Sequence, residues 1–205
     1  RHKQVDMPKQ IKLFRLFVAS PSDLDTERAI LSELVTEWNI QHGQLKNVNI
    51  EVASWHTHSY PSYGERPQEL INKQVFDSSD IVVGLFWTRF GSPTGVANSG
   101  TEEEIKRGIE QNKKVMVYFS DKAFPPSKLN IDDYQKIQAF KNEFRDKGLY
   151  YSFQEEEDFR RLFRLHLAAV MDEILMKHDP DNVEQDPTNP IIPISLSAQY
   201  WIVVL

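Results

Sequence analysis

Three consecutive glutamates, Glu102 to Glu104, stand at a predicted helix start in a place where α/β folds bind ligands. The segment Ser99–Gly108 follows a strongly apolar run, Asp80–Trp87, after a loop rich in glycine and proline, and leads into a second apolar run, Lys114–Phe119. In open α/β sheets, ligands bind beyond the carboxyl ends of the strands, near helix N-termini. Carboxylates there do not suit a phosphate. They suit a carbon that is cationic or becomes cationic during a reaction.

The same glutamates also fit a structural role at the helix start. Ser99 with Glu102, and Thr101 with Glu104, each form a Ser/Thr-x-x-Glu capping box. Acidic residues in a first turn also interact favourably with the helix dipole, by about 0.3–1 kcal/mol each. If Ser99 is the cap, Glu104 is left for chemistry, whereas if Thr101 is the cap, Glu104 is structural. The sequence leaves both registers open.

Other residues in the predicted loops are candidates for holding a nucleotide-like ligand. Hydroxyls bind ribose or phosphate, aromatic rings stack on a base, and guanidinium groups pair with pyrophosphate. The candidates are the hydroxyls of Ser20 and Ser22, the rings of Trp55, Trp87 and Phe90, and the guanidinium groups of Arg66 and Arg89. Each type also has a simpler explanation, because a ring at a strand end usually belongs to the core and an exposed arginine usually forms a surface ion pair.

Composition and motifs disfavour several other chemistries. The 205 residues carry a net charge of −6 without a block of Lys and Arg, which disfavours direct binding to nucleic acid. The chain has no cysteine, which excludes disulfides, a thiolate nucleophile and Cys-bound zinc. His56 and His58 are a weak metal signal without a carboxylate cluster nearby, so we expect no metal. The chain has no Walker loop, G-x-G-x-x-G loop or G-x-S-x-G elbow, which disfavours ATPase, dehydrogenase and serine-hydrolase activity.

Five apolar segments alternate with amphipathic ones along the chain. This alternation predicts an α/β, flavodoxin-like sheet of five parallel strands in the order 2-1-3-4-5, with helices on both faces. The first and third strands are the most apolar and are predicted to be central, so the loops Ser20–Asp23 and Thr88–Thr101 should meet at the switch point between them. The predicted strands are Leu13–Ala19, Val48–Trp55, Asp80–Trp87, Val115–Phe119 and Leu149–Phe153.

Individual residues add local predictions to this outline. Ser22 or Asp23 is expected to cap the first helix, and Gly43 is expected to end it. Gly84, inside the third strand, indicates a close approach of another segment to the backbone. Ile109 is expected to face the sheet from the helix that follows the third strand.

The chain is predicted to contain one domain with two flanking segments. Residues 1–10 are polar and are expected to be disordered or vector-derived, residues 11–177 form the domain, and residues 178–205 form a linker with an apolar tail or the start of a second domain. The chain has no apolar signal core and no run of the roughly 18 apolar residues needed to span a bilayer. We therefore expect a cytoplasmic protein without a membrane partner.

Several stretches together resemble a TIR-like domain of unknown function found at the N-terminus of bacterial multidomain proteins, including proteins assigned to defence. They are FVASPSDLDTER from Phe17, YGERPQELIN from Tyr63, SDIVVGLFWTRFGSPTG from Ser79, SGTEEEI from Ser99 and VMVYFS from Val115. The resemblance covers about residues 12–176 and implies the TIR-type, flavodoxin-like sheet. TIR enzymes cleave NAD with one glutamate in the helix after the third strand, which corresponds to Glu104 here. Nucleoside 2-deoxyribosyltransferases carry Gly-Thr-x-x-Glu, matched by Gly100–Glu104, which adds Thr101 to the candidates for substrate binding.

The resemblance implies an effector domain that hydrolyses NAD at the nicotinamide–ribose bond, with NAD as substrate and no cofactor. It also implies activation by self-association or by a sensor, attached here through the segment after His178. One carboxylate can suffice because nicotinamide leaves NAD as a neutral molecule, whereas ordinary glycosidases need a second carboxyl group to protonate the leaving oxygen. Two alternatives stay open: a non-catalytic TIR-like adaptor, and a nucleoside or nucleotide N-glycosidase or deoxyribosyltransferase-like enzyme. The last ranks lower because a neutral base needs a proton donor, and none is evident near Glu104.

Overall fold

The computed structural model describes residues 10–53, 69, 75–145 and 150–177. Of the predicted site residues, Trp55 and Arg66 lie outside the described residues, as do His56 and His58. The strands are β1 Lys12–Ala19, β2 Val48–Ala53, β3 Ile81–Phe86, β4 Lys114–Ser120 and β5 Tyr150–Phe153. The longer helices are α1 Asp25–Trp38, α2 Gly100–Glu110, α3 Ile131–Arg145 and α4 Glu156–Lys177.

The five strands form one parallel sheet in the order β2-β1-β3-β4-β5. This is the flavodoxin-like order, so the predicted fold class is confirmed. The register pairs Phe17 with Val82 and Val82 with Val115 across the three inner strands. All six residues of β3 are buried, because helices cover the sheet on both sides.

Of the longer helices that the structure describes, two lie on each face of the sheet. On one face α1 lies beside α4, since Arg160 contacts Glu33 at 3.0 Å and Arg164 contacts Glu37 at 2.9 Å. On the other face α2 lies beside α3, since Lys106 Nζ lies 3.6 Å from Glu143 Oε2. Successive side chains of β4 point to opposite faces of the sheet, so they pack alternately against the α1–α4 layer and the α2–α3 layer.

Two adjacent aromatic residues of β4 belong to the hydrophobic cores on opposite faces of the sheet. Tyr118 packs against Phe159 and Phe163 of α4. Its neighbour Phe119 stacks on Phe86 of β3 on the opposite face, with ring centroids 5.4 Å apart. The second face also holds Phe17, Ile105 and Phe140 in one buried cluster.

The end of α1 differs from the sequence prediction. The helix does not end at Gly43, because a π-helical segment, Asn39–Gly43, and a helical turn, Gln44–Lys46, continue it. Asn47 ends it in the left-handed conformation, with φ 53°. A Cβ at Gly43 would lie 2.6 Å from the Val48 carbonyl oxygen, so glycine is needed there for the close approach of β2.

The outer edge of β2 is paired by a side chain. The Asn39 amide nitrogen donates to the Ile50 carbonyl, and the Ile50 backbone N–H donates to the Asn39 side-chain oxygen, both at 2.8 Å. A carboxamide has the donor and acceptor that a neighbouring strand would supply. Asn39 therefore covers part of an edge that would otherwise be open to pairing with another chain.

The predicted close approach at Gly84 is confirmed. A Cβ at Gly84 would lie 2.4 Å from Cδ1 of Ile105, so α2 packs directly on the backbone of β3. Gly108 lies against Val82 and Val115 in the same interface. The prediction for Ile109 is wrong, since 49 % of this residue is exposed. Ile109 is one residue beyond the buried Gly108 and turns towards solvent.

The chain divides into two units, Arg1–Ala169 and Val170–Leu205. The first unit contains the sheet, and the second is described only over the last turns of α4. The predicted boundaries at residues 10 and 177 border on residues that are not described and stay predictions. Among the helices of the described ranges, none combines the length and the apolar character needed to cross a membrane.

Candidate functional site

Ser99 caps α2, which decides between the two possible registers. The Ser99 hydroxyl accepts a hydrogen bond from the Glu102 backbone N–H at 3.1 Å. Glu102 turns back and accepts from the Asn98 backbone N–H at 2.9 Å, while its other oxygen accepts from Lys106 Nζ at 2.8 Å. The Glu102 hydrogen bond raises the pKa of Lys106 against the opposing effect of burial. Glu102 is thus a structural residue, and the cap does not use Glu104.

Glu104 is a buried carboxylate in the early part of α2, with 7 % of the residue exposed. Glu104, Arg107 and Gln111 recur at positions i, i+3 and i+7 and therefore share one side of the helix. Arg107 and Gln111 both donate hydrogen bonds to Asp77, which precedes β3. Glu104 therefore faces the connection from β2 to β3, and it has an interaction partner of its own.

The predicted residues on that side are described only in part. Thr101 precedes Glu104 by three residues, lies on the same side of α2 and is 6 % exposed. Trp55 and Arg66 belong to the connection that Glu104 faces but lie outside the described residues.

A groove of about 960 Å³ runs along the outer side of α2. It is lined by residues of the preceding loop and of α2, together with Glu69, and these include Arg107 and Gln111, which share a side of the helix with Glu104; Glu104 itself is not among the lining residues. The hydroxyl of Thr94 donates to Glu103 and holds this loop against the helix. The groove therefore borders the side of α2 that carries Glu104, but Glu104 does not line it.

Asp23 ties together the two loops at the switch point of the sheet. One oxygen of its carboxylate, Oδ2, accepts from the Thr88 backbone N–H at 2.9 Å, the Thr88 hydroxyl at 2.8 Å and the Arg89 backbone N–H at 3.1 Å. The other oxygen, Oδ1, is buried without a hydrogen-bond partner among the described residues. The meeting of these two loops is as predicted.

The expected role of Asp23 as a helix cap is wrong, and so is that of Ser22. The residue before α1 is Leu24, and no side chain caps the helix there. Asp23 instead satisfies backbone groups 65 residues away. The only signal in the sequence was an acid directly beyond a buried strand, and the same signal fits a helix start.

The two serines of the first loop bind arginines. The Ser22 hydroxyl accepts from Nη1 of Arg89 at 3.1 Å, so these two predicted site residues are in contact. The Ser20 hydroxyl accepts from Nη1 of Arg28 at 2.7 Å, and the same nitrogen also donates to the Pro21 carbonyl at 2.7 Å. Sequence reasoning missed Arg28, which orders the loop from the first turns of α1.

Trp87 follows β3 and lies half-buried beside the end of β4. Its indole N–H donates to the Lys122 carbonyl at 3.1 Å, and the Lys122 ammonium lies 4.8 Å from the centre of the ring. The same ammonium forms an ion pair with Glu27, which is 1 % exposed. Trp87 therefore keeps a partly open ring in a fixed orientation, as stacking on a ligand would require.

Phe90 lies in the core, in contrast to the prediction that it stacks on a ligand. The residue is 1 % exposed, and its ring stacks on Phe86 with centroids 5.4 Å apart and packs against Phe140. Gly91, with φ 103°, allows the turn that directs Phe90 inwards. Its ring is therefore used in packing.

A metal centre was not expected, and the described residues hold no group of three or more His, Cys, Asp or Glu side chains that could bind an ion. His56 and His58 lie outside those residues, so the prediction about them stays open.

A sequence profile for a domain of unknown function, DUF4062, matches residues 15–168. No curated protein matches the sequence. Similar solved structures include elongation factor SelB from Methanococcus maripaludis, with 11% identity, TM-score 0.42 and coverage of 80% of this chain and 37% of that chain. Homoserine dehydrogenase from S. aureus has 14% identity, TM-score 0.33 and coverage of 71% and 33%. Flavodoxin 1 from Bacillus cereus has 12% identity, TM-score 0.34 and coverage of 78% and 97%.

The chain spans about a third of the length of the first two of these proteins. All three TM-scores are below 0.5, so the fold class is based on the strand order of the sheet itself.

Proposed function

We propose that this chain, which belongs to the DUF4062 family of domains of unknown function, hydrolyses NAD at the bond between nicotinamide and ribose. The observation that carries the proposal is the position of Glu104. It is a carboxylate with 7 % exposure, in the helix that follows the central strand β3, and the helix cap is made by Ser99 and Glu102 instead. Burying a charged carboxylate is costly, and a buried acid beside the ligand-binding edge of an α/β sheet is a candidate for chemistry.

The proposed reaction needs one negative charge and one water molecule. The bond between the pyridinium nitrogen and C1′ of ribose breaks, and its electron pair neutralises the nicotinamide ring. Water adds to C1′ and releases a proton, which gives nicotinamide, ADP-ribose and H⁺. Glu104 would stabilise the positive charge that develops on the sugar and hold the ribose hydroxyls. A low-dielectric site strengthens this stabilisation compared with open water.

The resemblance to TIR-like domains supports two further parts of the proposal. Such domains act in bacterial defence as effectors, and here activity would depend on self-association or on a sensor joined through the segment after Lys177. Trp87, Ser22 and Arg89 are the described residues proposed to contact the nucleotide. Their loops meet at the switch point through Asp23, on the edge of the sheet where ligands of open α/β sheets bind.

A non-catalytic interaction domain is the second candidate, and one observation favours it. Three hydrogen bonds to Asp23 tie the loop after β1 to the loop after β3, directly at the crevice between these strands. A domain that only binds partners has no need for an open crevice. For an enzyme, assembly or substrate would have to separate these loops.

The decisive experiment measures release of nicotinamide from NAD by the chain when concentrated or clustered on a multivalent carrier. Glu104→Gln keeps the shape of the side chain and removes its charge. Glu110→Gln is the matched control, because Glu110 is an exposed glutamate in the same helix. Turnover that is lost in Glu104→Gln and retained in Glu110→Gln supports the proposal.

The other outcomes separate the alternatives. Equal turnover in both variants removes Glu104 from the mechanism. Release of free base from neutral nucleosides, rather than from NAD, favours an N-glycosidase. Absence of turnover in every clustered state favours the interaction domain.

A further inference from the structure

A second pocket lies at the carboxyl edge of the sheet between β3 and β4, on the side of α3. We call it the β3–β4 pocket. It has a volume of about 200 Å³. Its walls combine aromatic side chains with polar and charged ones in similar number. It is lined by Phe86, Trp87, Phe119, Phe124, Tyr134 and Ile137, and by Ser120, Asp121, Lys122, Gln138 and Lys141.

Trp87 supplies this pocket with an aromatic ring in a fixed orientation, and the Lys122 ammonium lies 4.8 Å from the centre of the ring. The hydrogen bond from its indole N–H to the Lys122 carbonyl, 3.1 Å long, prevents the ring from turning. Phe124 packs edge-on against it, with centroids 6.1 Å apart and planes at 90°. A fixed aromatic ring is a suitable stacking surface for a planar ligand, since little freedom is lost on binding.

Gln138 supplies an unused hydrogen-bonding group. Its side chain is half-buried in the wall of the pocket and makes no hydrogen bond to another described residue. A carboxamide has one acceptor oxygen and two N–H donors, and here they are available to a ligand. The complementary ligand carries a donor and an acceptor side by side.

The charges around the pocket favour a neutral ligand. Lys122 forms an ion pair with Glu27. Lys141 lies 3.5 Å from Asp121 and donates to the Ser152 hydroxyl at 2.8 Å. Both ammonium groups therefore already have an anionic or polar partner, and a phosphate or carboxylate would have to compete with these partners.

The size of the pocket restricts the ligand further. Pockets for drug-sized ligands measure roughly 300–1,000 Å³. At about 200 Å³ the β3–β4 pocket accommodates a single ring system rather than a complete dinucleotide. Phosphates and sugars of a larger ligand would extend from its open side.

We propose that the β3–β4 pocket binds a neutral heteroaromatic ring that carries an amine or amide group, stacked on Trp87 and hydrogen-bonded by Gln138. Adenine and free nicotinamide share this chemistry. This inference rests on the proposed function in one respect only, namely that the bound ring is part of a nucleotide such as NAD or a product of its cleavage. The pocket itself is formed without Glu104.

The test titrates the full chain with adenosine and, separately, with nicotinamide, and follows binding by heteronuclear NMR. Trp87→Ala is expected to weaken binding about 10-fold or more because it removes the stacking surface. Gln138→Leu is expected to weaken it about 10-fold because it removes a donor and an acceptor. Gln135→Leu is the matched control, because Gln135 is exposed on the same helix. Purine riboside, which lacks the amino group of adenosine, is expected to bind less tightly than adenosine to the wild-type chain but equally to Gln138→Leu.

The outcomes separate this inference from the proposed function. Binding of adenosine alone or nicotinamide alone supports the pocket and identifies the ring. Binding of neither by the wild-type chain overturns it, as does equal weakening by Gln138→Leu and Gln135→Leu. Trp87→Phe keeps an aromatic ring in the wall of the pocket and is expected to retain most of the binding. It shows whether a loss of binding in Trp87→Ala comes from the missing ring or from a folding defect. A chain that binds adenosine through Gln138 but never cleaves NAD contradicts the proposed function and supports the pocket.

Discussion

Replacing Gly84 with alanine tests whether the contact between β3 and α2 sets the position of Glu104. A Cβ at residue 84 would lie 2.4 Å from Cδ1 and 2.9 Å from Cγ1 of Ile105. Ile105 is fully buried and directly follows Glu104 in the helix. The added methyl group therefore forces Ile105 into another rotamer or moves α2 away from the sheet, and Glu104 moves with the helix.

The magnitude follows from two opposing effects. Overpacking a core typically costs about 1–3 kcal/mol. Alanine is more favourable than glycine inside a strand by about 0.5–1 kcal/mol, because the unfolded chain loses less freedom. The free energy of unfolding of Gly84→Ala should therefore fall by about 1–2 kcal/mol.

A second substitution isolates the contact. Ile105→Val removes Cδ1, the atom nearest to the added methyl group, and should by itself cost about 0.5–1.5 kcal/mol. If the clash is the cause, Gly84→Ala combined with Ile105→Val should be more stable than the sum of the single effects by about 1 kcal/mol. Urea unfolding of the wild type, both single variants and the double variant measures this coupling.

Gly108→Ala is the control for Gly84→Ala. A Cβ there would lie 3.1 Å from Cγ2 of Val115 and 3.2 Å from Cγ2 of Val82, which is tight but short of a clash. Alanine is better than glycine in a helix by about 1 kcal/mol, so the net change should stay below about 1 kcal/mol. If the changes in the free energy of unfolding caused by Gly84→Ala and Ile105→Val add within about 0.5 kcal/mol in the double variant, the two residues do not clash and the reasoning is refuted. If the chain hydrolyses NAD as proposed, turnover should fall in Gly84→Ala and partly recover in the double variant.

Three further substitutions test other parts of the fold by urea unfolding. Lys122→Met should lower the free energy of unfolding by about 3–5 kcal/mol, because it leaves the buried Glu27 carboxylate unpaired. Asn39→Leu should lower it by about 1–3 kcal/mol, because it removes both hydrogen bonds to the Ile50 backbone. Burial lowers the pKa of His166, so the unfolded chain binds more protons in mildly acidic solution. The contribution of neutral His166 to the free energy of unfolding is fully present above pH of about 6.5 and is lost as the pH falls through the folded pKa. Urea unfolding of the wild type and of His166→Gln across that pH range measures this contribution.

Each of these predictions has a control. Lys177→Met, at an exposed pair with Glu173, should change the free energy of unfolding by less than about 1 kcal/mol, and a loss equal to that of Lys122→Met would contradict the role of burial. Asn39→Asp keeps only the acceptor for the Ile50 N–H and should give a smaller loss than Asn39→Leu. Identical pH dependence in the wild type and His166→Gln would show that His166 is not the titrating group.

Much of the fold could be predicted because its signals are local. The apolar run from Ile81 to Phe86 is buried along its whole length, as its composition indicated for a central strand. Gly84 predicted the close approach of another segment on local grounds as well, because a glycine inside a strand leaves space for a neighbouring element, here α2. The apolar character of the first and third strands, which indicated that they are central, then led to the strand order.

The site could be predicted less completely, because its contacts join residues far apart in sequence. Asp23 fitted a helix cap on local grounds, but in the fold it accepts hydrogen bonds from Thr88 and Arg89. Phe90 looked like a loop aromatic ring available to a ligand, yet it packs on Phe86 and Phe140. Nothing within a few residues of either position distinguishes these outcomes.

The sequence by itself determined the parallel sheet, its strand order and the placement of Glu104 in the helix after the central strand. The tertiary structure decided which acid is structural and which faces the β2–β3 connection, since the Ser99 cap takes Glu102 and directs Glu104 to the other side of α2. The reason is physical. Burial patterns repeat every two or 3.6 residues and can be read locally, whereas the partner of a polar atom depends on which distant segments the packed core brings within about 3 Å.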